Sequence, residues 1–564
     1  MKISRVPRIV GLSLMVLVAC VAVVYAAYQR VADSAAPLAG FAPPGALLAI
    51  ESPDFAGLLG SWNNSAEQRR WLAGDNYAAF SRSRLFDRLG QAQDEFAATA
   101  GLAPDSKFLQ QIAGGQSLLA WYDIGNLEFL YITRLPHGEA ANTPLLKLRD
   151  KFEQRSVGAD TFFVRSQSDP ARTVAFAVKG DYLLLATRED LLADALQRMQ
   201  TPSERSLLHD SWYASGVGAA AAKAGDLRMT LNLASIVPSP YFRSYWVQQN
   251  VTEMKQYRAA VSDLYRDAGN FREERVLIPV EDESKLVGVD LSGVLGFVPA
   301  GVGVYRASAV AGSDEVIEQL EDKVLARGAG VGGSEHVAPV ADLGVAEVGD
   351  ASDLEERIDE PLVVKAARGE ELGSLREVVG AVQPVAMMVF STGKSADVGV
   401  FQGVHSGVVI EGATAWDEVG LERSVGAVLA RRLTVGGLSW SVRKDGGGSW
   451  DVLDGAYPLA FAVRGKVWVV ATDEATLRQM LGANRGGGAR VARVVAGVDF
   501  GSEREPFLRL TSLLDQPAGQ EPAFFSGNVG SLVGVFGDLR TETFTESADA
   551  QVVRQTVVYA FGKD

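Results

Sequence analysis

Five consecutive residues, Ser391-Thr392-Gly393-Lys394-Ser395, bring together the most chemistry at one place in this sequence. Glycine, lysine and serine in that order close a phosphate-binding loop when an earlier glycine opens it, because backbone N–H groups must then cradle the phosphates. The opening glycine would fall at Met388, so the cradle is missing. The same residues spell S-x-x-K, and Ser526-Gly527-Asn528 spells S-x-N. Penicillin-binding enzymes activate a serine with such a pair and a third K-[ST]-G element. The third element is absent, and Thr392-Gly393-Lys394 reads as a turn between two strands within Pro384 to His405. Gly328, Gly330 and Gly333 spell G-x-G-x-x-G, but they follow a helix-like stretch over Glu315 to Ala326. A dinucleotide site needs a strand there, so a helix C-cap and loop fit better.

Metal and thiol chemistry have little to work with. Cys20 is the single cysteine, which excludes internal disulfides and cysteine-ligated zinc. His137, His209, His336 and His405 are too far apart in sequence for a local metal motif. Aspartate and glutamate are plentiful, yet no spacing singles out an acid/base pair. The expectation is a chain with no catalytic residues, no cofactor and no metal. Trp62 and Trp71 flank NNSAEQRR and read as packing residues more readily than as a ligand platform.

The elements that hold these residues belong to a large, ordinary globular composition. A chain of 564 residues, 47% apolar and 22% charged, exceeds one domain and can bury real cores. Its formal net charge of -15 repels phosphate backbones, which argues against a nucleic-acid partner.

Ile9 to Ala27 carries no charge and is long enough to cross a bilayer as a helix. Lys2, Arg5 and Arg8 precede it, while Arg30 alone follows closely. The positive-inside rule then puts residues 1–8 in the cytoplasm, the anchor at 9–27, and the bulk outside. Two alternatives stay open: cleavage near Val24-Tyr25-Ala26, and lipidation of Cys20, since Leu17-Val18-Ala19-Cys20 fits a lipobox. All three leave the bulk outside the cytoplasm. Residues 28–43, rich in Ala and Pro, read as a linker. Leu291 to Tyr305 is apolar but too short and too rich in Gly to span; it reads as a buried strand pair with a turn.

The chain also resembles itself. Residues 174–196 (VAFAVKGDYLLLATREDLLADAL) align without gaps to 459–481 (LAFAVRGKVWVVATDEATLRQML). Each copy predicts strand, turn, strand, helix. The turns fall at Lys179-Gly180 and Arg464-Gly465, where glycine supplies a positive φ. Thr187 and Thr472 are candidate helix caps. Leu192 and Leu196, four apart, share a helix face. Pro44 to Ser52 echoes Pro299 to Ser308, and Leu231 to Val237 echoes Gly527 to Val533. The expected fold is α+β, in two diverged tandem copies over 44–285 and 286–564, each an antiparallel sheet with helices on one face. Ser244 to Ala268 carries Val247, Val251, Met254, Tyr257, Val261 and Leu264 at spacings of three and four. That period predicts an amphipathic helix, packed on its own sheet or facing a partner.

The basic start, the Ile9 to Ala27 anchor, the PGALLAIES strand after a Pro-rich linker and the Trp62…Trp71 segment together resemble an uncharacterised family of bacterial envelope proteins. That family looks like the one encoded beside bacterial alpha-2-macroglobulin-like protease traps. The resemblance implies an inner-membrane accessory role, docking the trap protein near a penicillin-binding protein of peptidoglycan synthesis. The leading expectation is a non-enzymatic, single-pass periplasmic scaffold that binds other envelope proteins. A second is a ligand- or lipid-binding module with a groove between the repeats. A third is a hydrolase, a serine hydrolase using Ser391 or one using an unrecognised acid pair.

Overall fold

The computed structural model describes residues 37–561, apart from 83, 169–170, 240–253, 268, 281–287, 326–372, 395–402, 433–439, 446–447, 454–457, 484–488, 506–538 and 550. The expected anchor, Cys20, Val247, Val251, the glycines at 328–333, Ser395 and Ser526 lie outside the described residues. No helix among the described residues is long and apolar enough to cross a membrane.

Among the described residues the fold is mixed α+β around a twenty-stranded sheet. Its first half contributes β1 (Leu48–Ser52), β2 (Ser117–Asp123), β3 (Glu128–Arg134), β4 (Glu153–Val157), β5 (Asp160–Ser168), β6 (Ala171–Lys179), β7 (Tyr182–Ala186), β8 (Leu227–Leu231), β9 (Tyr257–Asp267) and β10 (Asn270–Pro279). These pair antiparallel in the spatial order β4-β5-β6-β7-β3-β2-β1-β8-β9-β10. The second half contributes a two-residue β11 (Val289–Asp290), then β12 (Val304–Ala309), β13 (Pro384–Lys394), β14 (Gly403–Gly412), β15 (Trp440–Asp445), β16 (Gly448–Leu453), β17 (Leu459–Arg464) and β18 (Val467–Ala471). It ends with β19 (Val491–Ala492), β20 (Val494–Asp499), β21 (Leu539–Ala548) and β22 (Val553–Phe561). Here the order is β15-β16-β17-β18-β14-β13-β12-β20-β21-β22, with β11 and β19 paired apart. The last strands of the halves, β10 and β22, pair from Asn270↔Ala560 to Leu277↔Val553 and make the sheet continuous.

Helices cover both faces of each half, where one face was expected. The reason is visible in β7: Leu183, Leu184, Leu185 and Ala186 are all buried, so successive side chains on opposite faces both need cover. On one face, Leu184 and Ala186 meet α6 (Glu189–Gln200) and α7 (Ser211–Ala219). On the other, Leu183 and Leu185 meet α4 (Arg84–Ala100) and α5 (Ser106–Ile112). These two belong to a helical layer that begins with α1 (Phe55–Asn63), α2 (Ala66–Ala73) and α3 (Asp75–Phe80). A further turn, α8 (Leu233–Ile236), packs near β9. In the second half, α9 (Ser313–Leu320), α10 (Gly373–Ala381) and α11 (Glu418–Arg432) cover one face, and α12 (Glu474–Gly482) covers the other.

The predicted hairpins form, shifted by one residue. Lys179 pairs with Tyr182, so the two-residue loop is Gly180-Asp181; Arg464 pairs with Val467, leaving Gly465-Lys466. Gly180 (φ 59°) and Gly465 (φ 64°) stand first in those loops. Thr187 and Thr472 are not caps. Each hydroxyl instead accepts the backbone N–H of the next strand, Phe129 to Thr187 at 2.9 Å and Ser406 to Thr472 at 3.1 Å. Asp473 caps α12, accepting from Thr476 N–H at 2.8 Å.

The helix expected across Ser244 to Ala268 is overturned where the residues are described. Tyr257–Asp267 is strand β9, laddered on both sides. Val261 and Leu264, three apart, therefore lie on opposite faces. The true period is two: Ala259, Val261 and Asp263 are buried on one side, and Val261 packs under Gly216 of α7. Leu291 to Tyr305 holds a helical turn at Ser292–Leu295, not a strand pair.

Candidate functional site

An apolar cavity of about 360 Å³ lies between the helical layer of the first half and the sheet beneath it. Its walls follow from the periods of its elements. On α4, Leu89, Ala92 and Phe96 recur at three and four residues and so share a face. On α5, Phe108, Leu109 and Ile112 do the same. The floor comes from alternate strand positions: Leu119 and Trp121 of β2, Phe129 and Tyr131 of β3, and Leu185 of β7 with Thr187 just beyond it. Phe55 of α1 closes one side. Leu89 and Leu109, 44% and 39% exposed, stand at the mouth.

The polar groups of the wall are already engaged. Arg172 donates from Nε (3.0 Å) and Nη2 to Glu95 of α4, and from Nη1 to the Asn126 carbonyl (2.8 Å). This pins α4 to β6 and to the β2–β3 turn. Tyr131 donates its hydroxyl to the Ile112 carbonyl at 3.0 Å, and burial pushes its phenol pKa up. Thr187 holds the Phe129 N–H. Arg172 and Tyr131 are the only titratable side chains among the lining residues, which include no Ser, Cys, His or carboxylate. The wall is predominantly apolar, as ligand pockets commonly are, and its two titratable side chains are already hydrogen-bonded.

On the corresponding face of the second half, the described side chains pack into a core. Ile317, Leu320, Val379, Trp416, Leu421, Val425 and Trp468 form a buried core there. The halves meet through the β10–β22 ladder, and the apolar cavity lies inside the first half.

The residues singled out from sequence fall elsewhere. Met254 and Tyr257 pack against Leu233, Ile236 and Val237, and Tyr257 lines a smaller space of about 330 Å³ with Lys255 and Val280. Ser391 lies in β13 opposite Ser406, their hydroxyls 3.2 Å apart. His405, next to Ser406, points to the other face and bonds Asp473 at 2.6 Å. Ser391 and His405 therefore do not converge. Trp71 packs edge-on to Tyr77 and near Phe80, but Trp62 is 46% exposed and is not a core residue. Among the described residues no group of three His, Cys, Asp or Glu is placed to hold a metal.

One buried charged cluster also escaped the sequence. Arg228 forks onto Asp263 at 2.8 and 2.7 Å, and Tyr213 donates to Glu51 at 2.7 Å. Burial raises the Glu51 pKa above the usual carboxylate range despite the Tyr213 hydrogen bond and the Arg228 charge. Glu51, Arg228 and Asp263 are cross-strand neighbours on β1, β8 and β9, so the cluster fixes register across three strands.

No family model matches the sequence, and no curated protein matches it. Two solved structures of TP0453, in crystal forms IV and III, are similar at 11% identity, covering 49% of this chain and 82% and 81% of theirs. Both have a TM-score of 0.20, a level that says nothing of function.

Proposed function

We propose that this protein is a non-catalytic accessory protein of the bacterial envelope that works by binding, and that the cavity under α4 and α5 is its binding site for an uncharged apolar ligand. The observation that carries this is the lining. The cavity falls within the size range of ligand sites, and its one charged side chain is locked onto Glu95. A charged ligand head buried there would lack a partner, at a cost of several kcal/mol. The matching strand orders and the paired Thr187–Phe129 and Thr472–Ser406 contacts support the tandem-duplication reading. In that reading the anchor at 9–27 holds both copies at the periplasmic side of the inner membrane. The wide sheet surface then serves partners such as an alpha-2-macroglobulin-like protein and a penicillin-binding protein.

The test uses the full chain in proteoliposomes with a photoactivatable long-chain alcohol. Adducts are expected on the peptides of α4, α5 and β2–β3, suppressed by excess unlabelled alcohol. Ala92→Trp, which fills the cavity from α4, is expected to remove them with thermal stability unchanged. Adducts confined to residues 9–27, or unaffected by competitor, would overturn the ligand reading.

A further inference from the structure

Two non-glycine residues among the described ones have a positive φ, Leu127 (54°) and Gln383 (50°). A leucine is strained there, because its Cβ crowds the backbone. Gly125 and Asn126, the residue types that tolerate this region, stand just before Leu127 and do not take it. Leu127 ends the four-residue loop between β2 and β3, and its side chain lines the cavity. The loop is tied down from several sides. Asp123 accepts from the Asn126 N–H at 2.9 Å, and Thr187 donates to the Leu127 carbonyl at 3.4 Å. Arg172 donates to the Asn126 carbonyl at 2.8 Å, and Arg88 of α4 to the Gly125 carbonyl at 3.2 Å. Both arginines also meet Glu95 of α4, Arg172 by hydrogen bonds and Arg88 at 3.8 Å. On this side, therefore, α4 is fastened over the cavity by polar contacts to loop carbonyls. On the other side it meets α5 by buried apolar packing, the Phe96 and Phe108 rings 6.1 Å apart.

We propose that the β2–β3 loop is the gate of the cavity, latched to α4 through Glu95, Arg88 and Arg172 and strained at Leu127. Hydrogen bonds at a partly exposed edge exchange for water at small net cost, whereas parting Phe96 from Phe108 would expose apolar surface. Release of the latch lets Leu127 relax to a negative φ, so strain held in the closed state favours opening. Leu127 then leaves the wall, and an apolar body can pass between the loop and α4. A loop fixed only for packing would be served by glycine or asparagine at 127, with no strain to hold. The gate rests on the ligand reading, since it controls passage into that same cavity.

The experiment follows, by stopped flow, the quenching of Trp121 in the cavity floor by a bromine-terminated long-chain alcohol, with the full chain in nanodiscs. Trp121→Phe identifies that residue's share of the signal. Glu95→Gln weakens the latch. Leu127→Val raises the strain, because a β-branched residue tolerates a positive φ least. Each variant is expected to speed entry and exit by one common factor, about tenfold for Glu95→Gln, with Kd unchanged. Gly465→Ala, a destabilising change in the second half, should leave both rates as they are. Unchanged rates in both variants overturn the gate and leave the ligand reading standing. A raised Kd with unaltered entry also overturns the gate, since Glu95 and Leu127 would then only shape the wall. If the alcohol does not quench Trp121 in the unaltered chain, the ligand reading fails and the gate with it.

Discussion

Asp451 sits in β16, buried, beside Glu418 and Glu422 of α11. Burial pushes its pKa up to about 6, and the two glutamates add to that. An acid whose folded value exceeds its unfolded value of about 3.9 keeps its proton longer in the folded state. The stability it contributes is therefore complete below about pH 4 and is lost as the pH rises through about 6. Asp451→Asn, which cannot ionise, should stabilise the protein at pH 7 by about 1–3 kcal/mol. The gain should vanish at pH 4, and urea unfolding at both values checks it. Asp473 has the opposite sign. Burial raises its pKa, but the Thr476 N–H, His405 and the Thr476 hydroxyl together lower it below the usual range. Its contribution is present above about pH 4 and fades as the pH falls through its lowered value. The same place in the first half is occupied by Glu128 and Arg188, bonded at 3.0 Å with the charges exchanged between strand and helix start.

At the scale of elements, the two hairpins are the best-read part of the molecule, because local chemistry alone decides them. Gly180 and Gly465 need a positive φ, and the strands on either side are apolar runs. A Cβ at either glycine meets nothing within 4 Å, so the substitution tests backbone conformation without a clash. Gly180→Ala and Gly465→Ala should each cost about 1–2 kcal/mol, equal within error in thermal or urea unfolding. The failures of the sequence reading have a common physical cause. Val261 and Leu264 matched a helical period, but the ladders to β8 and β10 override a period when both edges of a segment are paired. Thr187 and Thr472 looked like caps because they precede helices, yet each hydroxyl goes to a strand that is remote in sequence. The cavity was illegible for the same reason. Leu89, Phe108, Leu119 and Phe129 come from four elements, and only the fold makes them neighbours.

For the whole molecule, the join between the halves decides how it unfolds. The apolar clusters of the first half and of the second are separate, which alone would permit two independent transitions. The β10–β22 ladder opposes that, and so do side chains reaching across it. Val552, at the β21–β22 turn, packs against the first-half core. Arg554 donates to the Ala219 carbonyl of α7 at 2.7 Å, and Phe271 meets Phe561 edge-on. Separating the halves would also leave β10 and β22 as long unpaired edges, which self-associate readily. The intact chain should therefore melt in one calorimetric transition. Thr556→Pro sits mid-strand between Glu274 of β10 and Thr545 of β21, where proline removes a ladder donor. It should split the melt into two transitions, one for each half, each keeping its own tryptophan signal. Two transitions in the unaltered chain would show that the ladder does not couple the halves. The two halves would then be stable independently of each other, and ligand binding in the first half could not change the stability of the second.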